Sequence, residues 1–472
     1  MTVALLTATA CSVPKVAEQQ SLSNLPTDFA GIDSTKGEQF VPINLNTYFN
    51  DPVLLQLFEK VRSSNLDYQI LQQRILIANS HLKRAKLGLL PSLDILINGS
   101  GTHYADYTME GVGNFDTNLS PNITEEQKIN RDVTPNFWIG AQASWEIDVW
   151  GRLKNKKNAA KNRFFASQEG LKLLQNQLFS EIAELYYDLI SLDKKLEIYE
   201  RNYAVQQKAY DIILAQRSTG KATELAVQQF SAQSKNLLAQ VELVKLEINA
   251  KERALLTLLG EFNGEVSRSS DFLMNHVALL NQKLPVDSII HNRPDVRQSY
   301  FELVATNADA KAARAAFFPK LEIGAYAAFN AFSFSTLFNP GSLAWQFLGG
   351  IVAPVFNRGQ LKQDFYVANR EQEIAFLNYQ KSVVQSYNEL SAILRQVDAF
   401  QTIGQIKNEE IRDLERAVEV SNDLYLSGYA TYLELISSQK DKLRAELDYV
   451  DFQLTNAKSL VLLYKALGGE LK

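Results

Sequence analysis

Cys11 is the only thiol in the chain, and it follows Ala8-Thr9-Ala10 at the end of an apolar or small-residue start. A lone thiol excludes an intramolecular disulfide and a cysteine-built zinc cage. Small residues before a single early cysteine instead resemble a bacterial lipoprotein signal. Cleavage would remove residues 1–10 and leave Cys11 as the first, lipid-bearing residue. The alternative is a buried or free thiol. Ala8 stands where an aliphatic residue is usual, and residues 1–10 contain no Lys or Arg. A start codon upstream of Met1 would account for so short a segment. Ser12 places no acidic residue after the cysteine, so the common enterobacterial signal for inner-membrane retention is missing.

Other reactive side chains do not assemble. His81, His103, His276 and His291 are scattered and never three or four apart, so no local pattern offers a metal site. There is no Gly-rich phosphate loop, no G-x-S-x-G, no H-E-x-x-H, and no Cys/His pair for a thiol nucleophile. The expectation is a protein that is not an enzyme and takes no cofactor. Charges number 53 acidic against 48 basic, a net of −5, which gives no electrostatic reason to expect nucleic acid. Mean hydropathy is −0.17. Beyond the N-terminus no run approaches the ~18 apolar residues of a spanning helix. A membrane crossing would therefore need a closed β-barrel.

The twelve prolines locate the long elements. None lies between Pro135 and Pro285, and none follows Pro354. Proline inside a helix costs about 3 kcal/mol, so these gaps are where long helices can form. Leu178, Ile182, Leu185, Leu189, Leu192, Leu196 and Tyr199 step by three and four, as one face of a helix does. Each gap has one break, Arg217-Ser218-Thr219-Gly220 and Tyr425-Leu426-Ser427-Gly428, where glycine can take the left-handed conformation that closes a helix. Each gap therefore predicts a hairpin of two long helices. The stretch from Arg152 to Gln216 would run roughly 95 Å at 1.5 Å per residue.

Strand texture precedes each gap. Leu93 to Ile97 follows Pro91, a loop rich in Gly, Asn, Thr and Asp covers Asn98 to Pro135, and Phe137 to Val149 returns. In the return segment the odd positions are apolar (Phe137, Ile139, Ala141, Ala143, Trp145, Ile147, Val149). Gln142, Ser144, Glu146 and Asp148 lie between them, so period two predicts one apolar and one wet face. Leu321 to Phe329 alternates likewise, and Trp345 to Val355 returns after Asn339-Pro340-Gly341. Glu146 and Asp148 would either line a lumen or pair locally with Arg152 or Lys154.

The chain also repeats itself. At an offset of 228, Asp67, Asn79, Lys83 and Pro91 meet Asp295, Asn307, Lys311 and Pro319. Past the strands the offset is 208, where Gly220, Ala222-Thr223 and Leu259-Gly260 meet Gly428, Ala430-Thr431 and Leu467-Gly468. The expected organisation is an N-terminal extension over 11–50, a first repeat over 51–264 and a second over 275–472. The first would hold a β-hairpin at about 92–149 and a helical hairpin at about 152–260. The second would hold them at about 320–355 and 358–467.

Four strands of about ten residues have the length of tilted membrane strands but cannot close, and an open edge in lipid is costly. The smallest outer-membrane barrels have eight strands. Several copies must contribute; three would give twelve strands, though two or more than three also satisfy the arithmetic. Tyr104, Phe137, Trp138, Trp145, Trp345 and Phe347 near the strand ends suit interfacial girdles. Two soluble alternatives are a β-sandwich fused to coiled coils and a cytoplasmic coiled-coil scaffold. The scaffold leaves the hairpins unexplained.

Over nearly its full length the chain resembles the TolC-like outer-membrane factors. The resemblance rests on Cys11, Leu90-Pro91-Ser92-Leu93, Trp145-Glu146-Ile147-Asp148-Val149-Trp150-Gly151-Arg152, Arg293-Pro294-Asp295-Val296, Phe318-Pro319-Lys320-Leu321 and Pro354-Val355-Phe356-Asn357-Arg358-Gly359. The helix turns Thr219 to Leu225 and Ser427 to Leu435 complete the set. With Arg-Pro-Asp and a lipid-bearing cysteine, the set is similar to the branch that serves tripartite RND-type pumps. The resemblance implies a mixed α and β membrane protein with four transmembrane strands and long helical hairpins per chain. A homotrimer would close a 12-stranded β-barrel in outer-membrane lipid and an α-barrel across the periplasm. Its closed tip would be opened by a periplasmic adaptor joined to an inner-membrane RND-type pump. It implies that the turns at Gly220, Lys221 and Thr223 and at Gly428, Tyr429 and Thr431 meet the adaptor. It also places Glu434 in a constriction ring, with Ser437 where some relatives carry a second acid. Export of protein or peptide by a type I system is the alternative use of such a duct.

Overall fold

The computed structural model describes residues 15–16, 25–29, 38–39, 45–272 and 282–469. Cys11 and His276 lie outside them. The described residues divide into two compact units, one built mainly from residues 77–164 and 301–376, the other from 45–76, 165–272, 282–300 and 377–469.

In the first unit, β2 (Ser92–Thr102), β3 (Thr134–Ile147), β5 (Lys320–Ala331) and β6 (Leu343–Val352) form one antiparallel sheet in the order β2-β3-β5-β6. Register sorts the side chains by face. Ile95, Ala141, Ala327 and Trp345 form one row across all four strands, flanked by Leu93-Ala143-Ala325-Phe347 and Ile97-Ile139-Phe329-Leu343. The intervening row, Asp94-Gln142-Tyr326-Gln346, points to the other face because successive side chains alternate. A hollow of about 810 Å³ lies on this polar face, lined by Asn98, Trp138, Gln142, Tyr326 and Leu348 among others. The sheet therefore curls with its wet side inward and its apolar side outward.

The first hairpin connection differs from the expected loop over Asn98–Pro135. Strand β2 continues to Thr102, β3 begins at Thr134, and a helix, α4 (Met109–Leu119), lies between them. Thr108 caps this helix by accepting the Gly111 N–H at 3.1 Å. Asn118 exchanges two hydrogen bonds with the Ile129 backbone, both 2.8 Å. Within the segment that reads as loop, Thr108 starts a short helix, Ser120 ends it and Asn118 ties it down.

Glu146 and Asp148 adopt the local pairing. Glu146 binds the Arg152 guanidinium through both carboxylate oxygens, at 3.0 and 2.5 Å. Asp148 accepts the backbone N–H groups of Leu153 and Lys154 at 2.9 and 2.7 Å, satisfying orphan donors at the start of α5 (Arg152–Ser218). Replacing Asp148 with alanine is expected to cost about 1 kcal/mol, read as a lower melting temperature of the helical signal. The Trp145 and Trp150 indole N–H groups donate to Leu89 O and Pro319 O, at 2.9 and 2.8 Å, across the junctions that feed β2 and β5.

Helix α3 (Leu66–Leu87) and helix α8 (Pro294–Ala315) each have 22 residues and start 228 apart (294 − 66). Helices α5 and α9 (Gln360–Leu426) each have 67 and start 208 apart (360 − 152). Helices α6 (Glu224–Leu258) and α10 (Tyr432–Ala466) each have 35, again 208 apart (432 − 224). Such lengths far exceed the usual three or so turns.

The second unit holds an aromatic core in which Phe58 stacks on Phe179 at 4.5 Å, and Phe49 meets Phe58 and Tyr464 at 5.3 and 5.2 Å. Asp51, fully buried, caps α2 (Pro52–Ser64) through Val53 N. Its carboxylate also accepts the Tyr186 and Ser269 hydroxyls, at 2.7 and 3.1 Å. Burial pushes the Tyr186 phenol up to about 12, so it stays a donor. One tether recurs at the repeat offset. Asn65 Nδ2 donates to Leu258 O at 2.7 Å, and Arg293, 228 residues on (293 − 65), donates to Ala466 O at 2.8 Å. Each ties the start of one helix to the end of its repeat's last long helix.

Candidate functional site

Both helix turns close by the same chain geometry. Gly220 and Gly428 have φ of 76° and 79°, a region that penalises any side chain. Lys221 N reaches back to Gln216 O at 2.9 Å, and Tyr429 N to Leu424 O at 2.8 Å. These six-to-one bonds accompany a left-handed glycine in the Schellman closure. A Cβ on either glycine would meet nothing within 4 Å. Gly220→Ala and Gly428→Ala are therefore expected to cost only the backbone strain, about 1 kcal/mol each. Thermal melts of the single variants check this. A collapse of helicity would mean the turns are packed against something within the chain.

The two turns start their second helices differently. Thr223 accepts the Ala226 N–H at 3.2 Å, and the following Glu224 pairs with Arg217 at 2.6 Å. In the second turn the Glu434 carboxylate reaches back to the Thr431 N–H at 2.6 Å and the Thr431 hydroxyl at 3.2 Å. The Thr431-x-x-Glu434 spacing is a capping-box signal legible in the sequence that the expectation of a constriction residue passed over. Glu434 and Ser437 both stay exposed, one turn apart on α10.

The fold brings the turns together. Ile213, Ala226, Val227 and Phe230 of the first hairpin bury a cluster with Ile436 of the second, and Tyr425 and Tyr432 pack on it. The Tyr425 hydroxyl lies 3.1 Å from Gln216 Oε1. Further along the hairpins, Arg201 pairs with Glu446 at 2.8 Å, and Lys442 with Glu415 at 3.4 Å. Around the tips a set of apolar side chains remains uncovered: Leu225, Leu426, Tyr429 and Leu433 are all exposed, Tyr429 at 85%. Among the described residues no group of three or more His, Cys, Asp or Glu side chains is placed to hold a metal ion. His103 and His291 instead lie near backbone carbonyls, Asp132 O at 2.8 Å and Asp287 O at 2.9 Å.

One unit carries a curled sheet, apolar outside and polar inside; the other carries paired helical hairpins with exposed apolar tips. Comparison with known proteins gives that arrangement a context. The sequence pattern of the outer membrane efflux protein family matches residues 57–261 and 286–469. The chain is 26% identical over 423 residues to the solvent efflux pump outer membrane protein SrpC of Pseudomonas putida, covering 89% of this chain and 86% of that one. It is 25% identical over 426 residues to the cation efflux system protein CusC of Escherichia coli strain K12, covering 90% and 88%. In fold it is similar to crystal structures of CusC, with a TM-score of 0.82 at 22% identity, covering 96% of this chain and 99% of that one. The open-state MtrE outer membrane channel of Neisseria gonorrhoeae gives a TM-score of 0.82 at 22% identity, covering 97% and 98%.

Proposed function

The chain belongs to the outer membrane efflux protein family, and from that premise we propose that three copies close into one duct that meets its pump through the helix turns. Its function is that of an outer-membrane efflux channel. The supporting observation is the sheet. Its register sends the rows through Leu93, Ile95 and Ile97, with Phe347, Trp345 and Leu343, to one face, while the outer edges of β2 and β6 have no strand beside them among the described residues. Edge groups facing hydrocarbon would cost several kcal/mol each. Pairing β2 of one copy with β6 of the next removes every edge, and three copies give twelve strands. A conduit, not a catalyst, is the role this supports.

The exposed apolar residues around Gly220 and Gly428 suit docking of a periplasmic adaptor, with Lys221, Thr223, Tyr429 and Thr431 at the contact and an inner-membrane RND-type pump behind it. Cys11 would carry the lipid anchor. Efflux of cations or solvents belongs to the relatives' own systems, and the cargo here would be chosen by the pump. Reconstituted chain should run as a trimer by native mass spectrometry and conduct in planar bilayers. A water-soluble monomer that needs no detergent would overturn the reading.

Glu434 would sit in the constriction as well as in its cap. Three copies of a carboxylate around a narrow axis favour cations. Glu434→Gln keeps the capping acceptor but removes the charge, so it should lower cation selectivity with the melting temperature unchanged. Glu434→Ala should lower both cation selectivity and melting temperature, with about 1 kcal/mol lost from the cap. Unchanged selectivity in both variants would leave Glu434 a helix cap only.

A further inference from the structure

Helix α4 is amphipathic in the wrong sense for its own protomer. The side that rests on its loop carries Gly111, which is buried, and Asn114 and Asn118, which are half-buried. The opposite side, with Met109, Val112 and Leu119 around the single carboxylate Asp116 and Phe115 at its border, is exposed, Met109 at 88% and Leu119 at 67%. A helix normally turns its apolar stripe to the core. The helix is not loose, since Asn118 anchors it to Ile129 and Arg131 holds Asp106 at 2.8 Å while lying over the Phe115 ring at 4.7 Å. A fixed helix with an uncovered apolar face marks an interaction surface.

Its position suggests what covers it. Helix α4 starts seven residues after β2 ends (109 − 102), so it lies in the connection that leaves one edge strand, at one end of the sheet. At the same end of the sheet, the other edge strand, β6, follows the connection that presents Phe338, 63% exposed, and opens on Leu343, 54% exposed. Two different apolar patches, each in the connection next to one of the two edge strands, are what a head-to-tail contact needs, and such contacts can close into rings. Charge points the same way. Residues 103–133 hold six acidic and two basic side chains, whereas residues 332–342 hold none of either sign. The acidic segment is repelled by a phosphate-bearing lipid surface but not by the neutral, aromatic loop.

We propose that the apolar stripe of α4 docks on the Phe338–Leu343 patch of the adjacent copy, forming a clasp at the rim beyond the strand edges. This rests on the ring reading above. It adds a specific contact that the strand pairing alone does not require. The test uses the purified chain carrying Val112→Cys and Phe338→Cys together, treated with a bismaleimide spanning about 10 Å, roughly the distance between packed elements. Covalent trimers on denaturing gels, absent from either single variant, are expected. An intact trimer by native mass spectrometry that does not cross-link overturns the clasp and leaves the duct standing; a monomer overturns both. As a second measurement, Val112→Asp with Leu119→Asp should lower the temperature at which the trimer dissociates in detergent. No change would overturn the clasp, as would quenching of a fluorophore at Val112→Cys by lipids with brominated acyl chains, which would place the stripe in lipid.

Discussion

Ala141→Arg is expected to abolish the folded membrane form, whereas Gln142→Arg, one residue away, should leave it intact. Ala141 lies in the row with Ile95, Ala327 and Trp345, and Gln142 in the row with Asp94, Tyr326 and Gln346. A guanidinium on the lipid face near the bilayer middle costs about 2–4 kcal/mol, and a ring of copies meets that cost once per chain. On the wet face the same group stays hydrated beside Asp94, and its effect should fall on ion selectivity. Heat-modifiable trimers on gels and conductance in planar bilayers read the two outcomes. Equal loss in both variants would mean that the sheet has no lipid side.

Arg293→Ala is expected to be the most damaging single change in the helical unit, at about 3 kcal/mol, the low end for a broken buried ion pair because its carboxylate partners are partly exposed. Arg293 is almost fully buried. It grips Asp295 through two nitrogens, at 3.1 and 2.9 Å, Glu389 at 2.7 Å and Ala466 O at 2.8 Å. Burial alone would pull its pKa down, but the two carboxylates more than offset this and hold it above the ordinary value. Truncation leaves both acids and a helix-end carbonyl without their donor. Asn65→Ala, at the same place in the first repeat, removes two neutral hydrogen bonds, to Leu258 O and from the Tyr68 N–H, and should cost only about 1–3 kcal/mol. Urea denaturation of the two variants compares them. Equal midpoints would mean that Arg293 contributes through its single carbonyl bond alone.

Much of this architecture was legible because it is written in periods. Proline-free gaps and three-four spacing marked the long helices, and Gly220 and Gly428 marked their ends. Alternation from Phe137 to Ile147 named the lipid face before any register was known. The offsets of 228 and 208 reappear as helix pairs of equal length. What stayed hidden depended on contacts without a period. Helix α4 is short and rich in Gly and Asn, so its composition reads as loop, and contacts such as the Thr108 cap, Asn118–Ile129 and Arg131–Phe115 hold it. Glu146 and Asp148 fit either a lumen or a junction until Arg152 and the first turn of α5 came within reach. At the tips, residue types alone did not reveal that Ile213 and Ile436, 223 positions apart (436 − 213), share one cluster.

The matched tethers at Asn65 and Arg293 differ in kind, one neutral and one ionic. Concentrated salt screens charges, most effectively where they are partly exposed, as are Asp295 and Glu389 around Arg293. High ionic strength should therefore loosen the second hairpin's hold and spare the first. A ring of three such chains would have backbones in near six-fold repetition but chemistry that is only three-fold, so a rise in salt would weaken alternate staves.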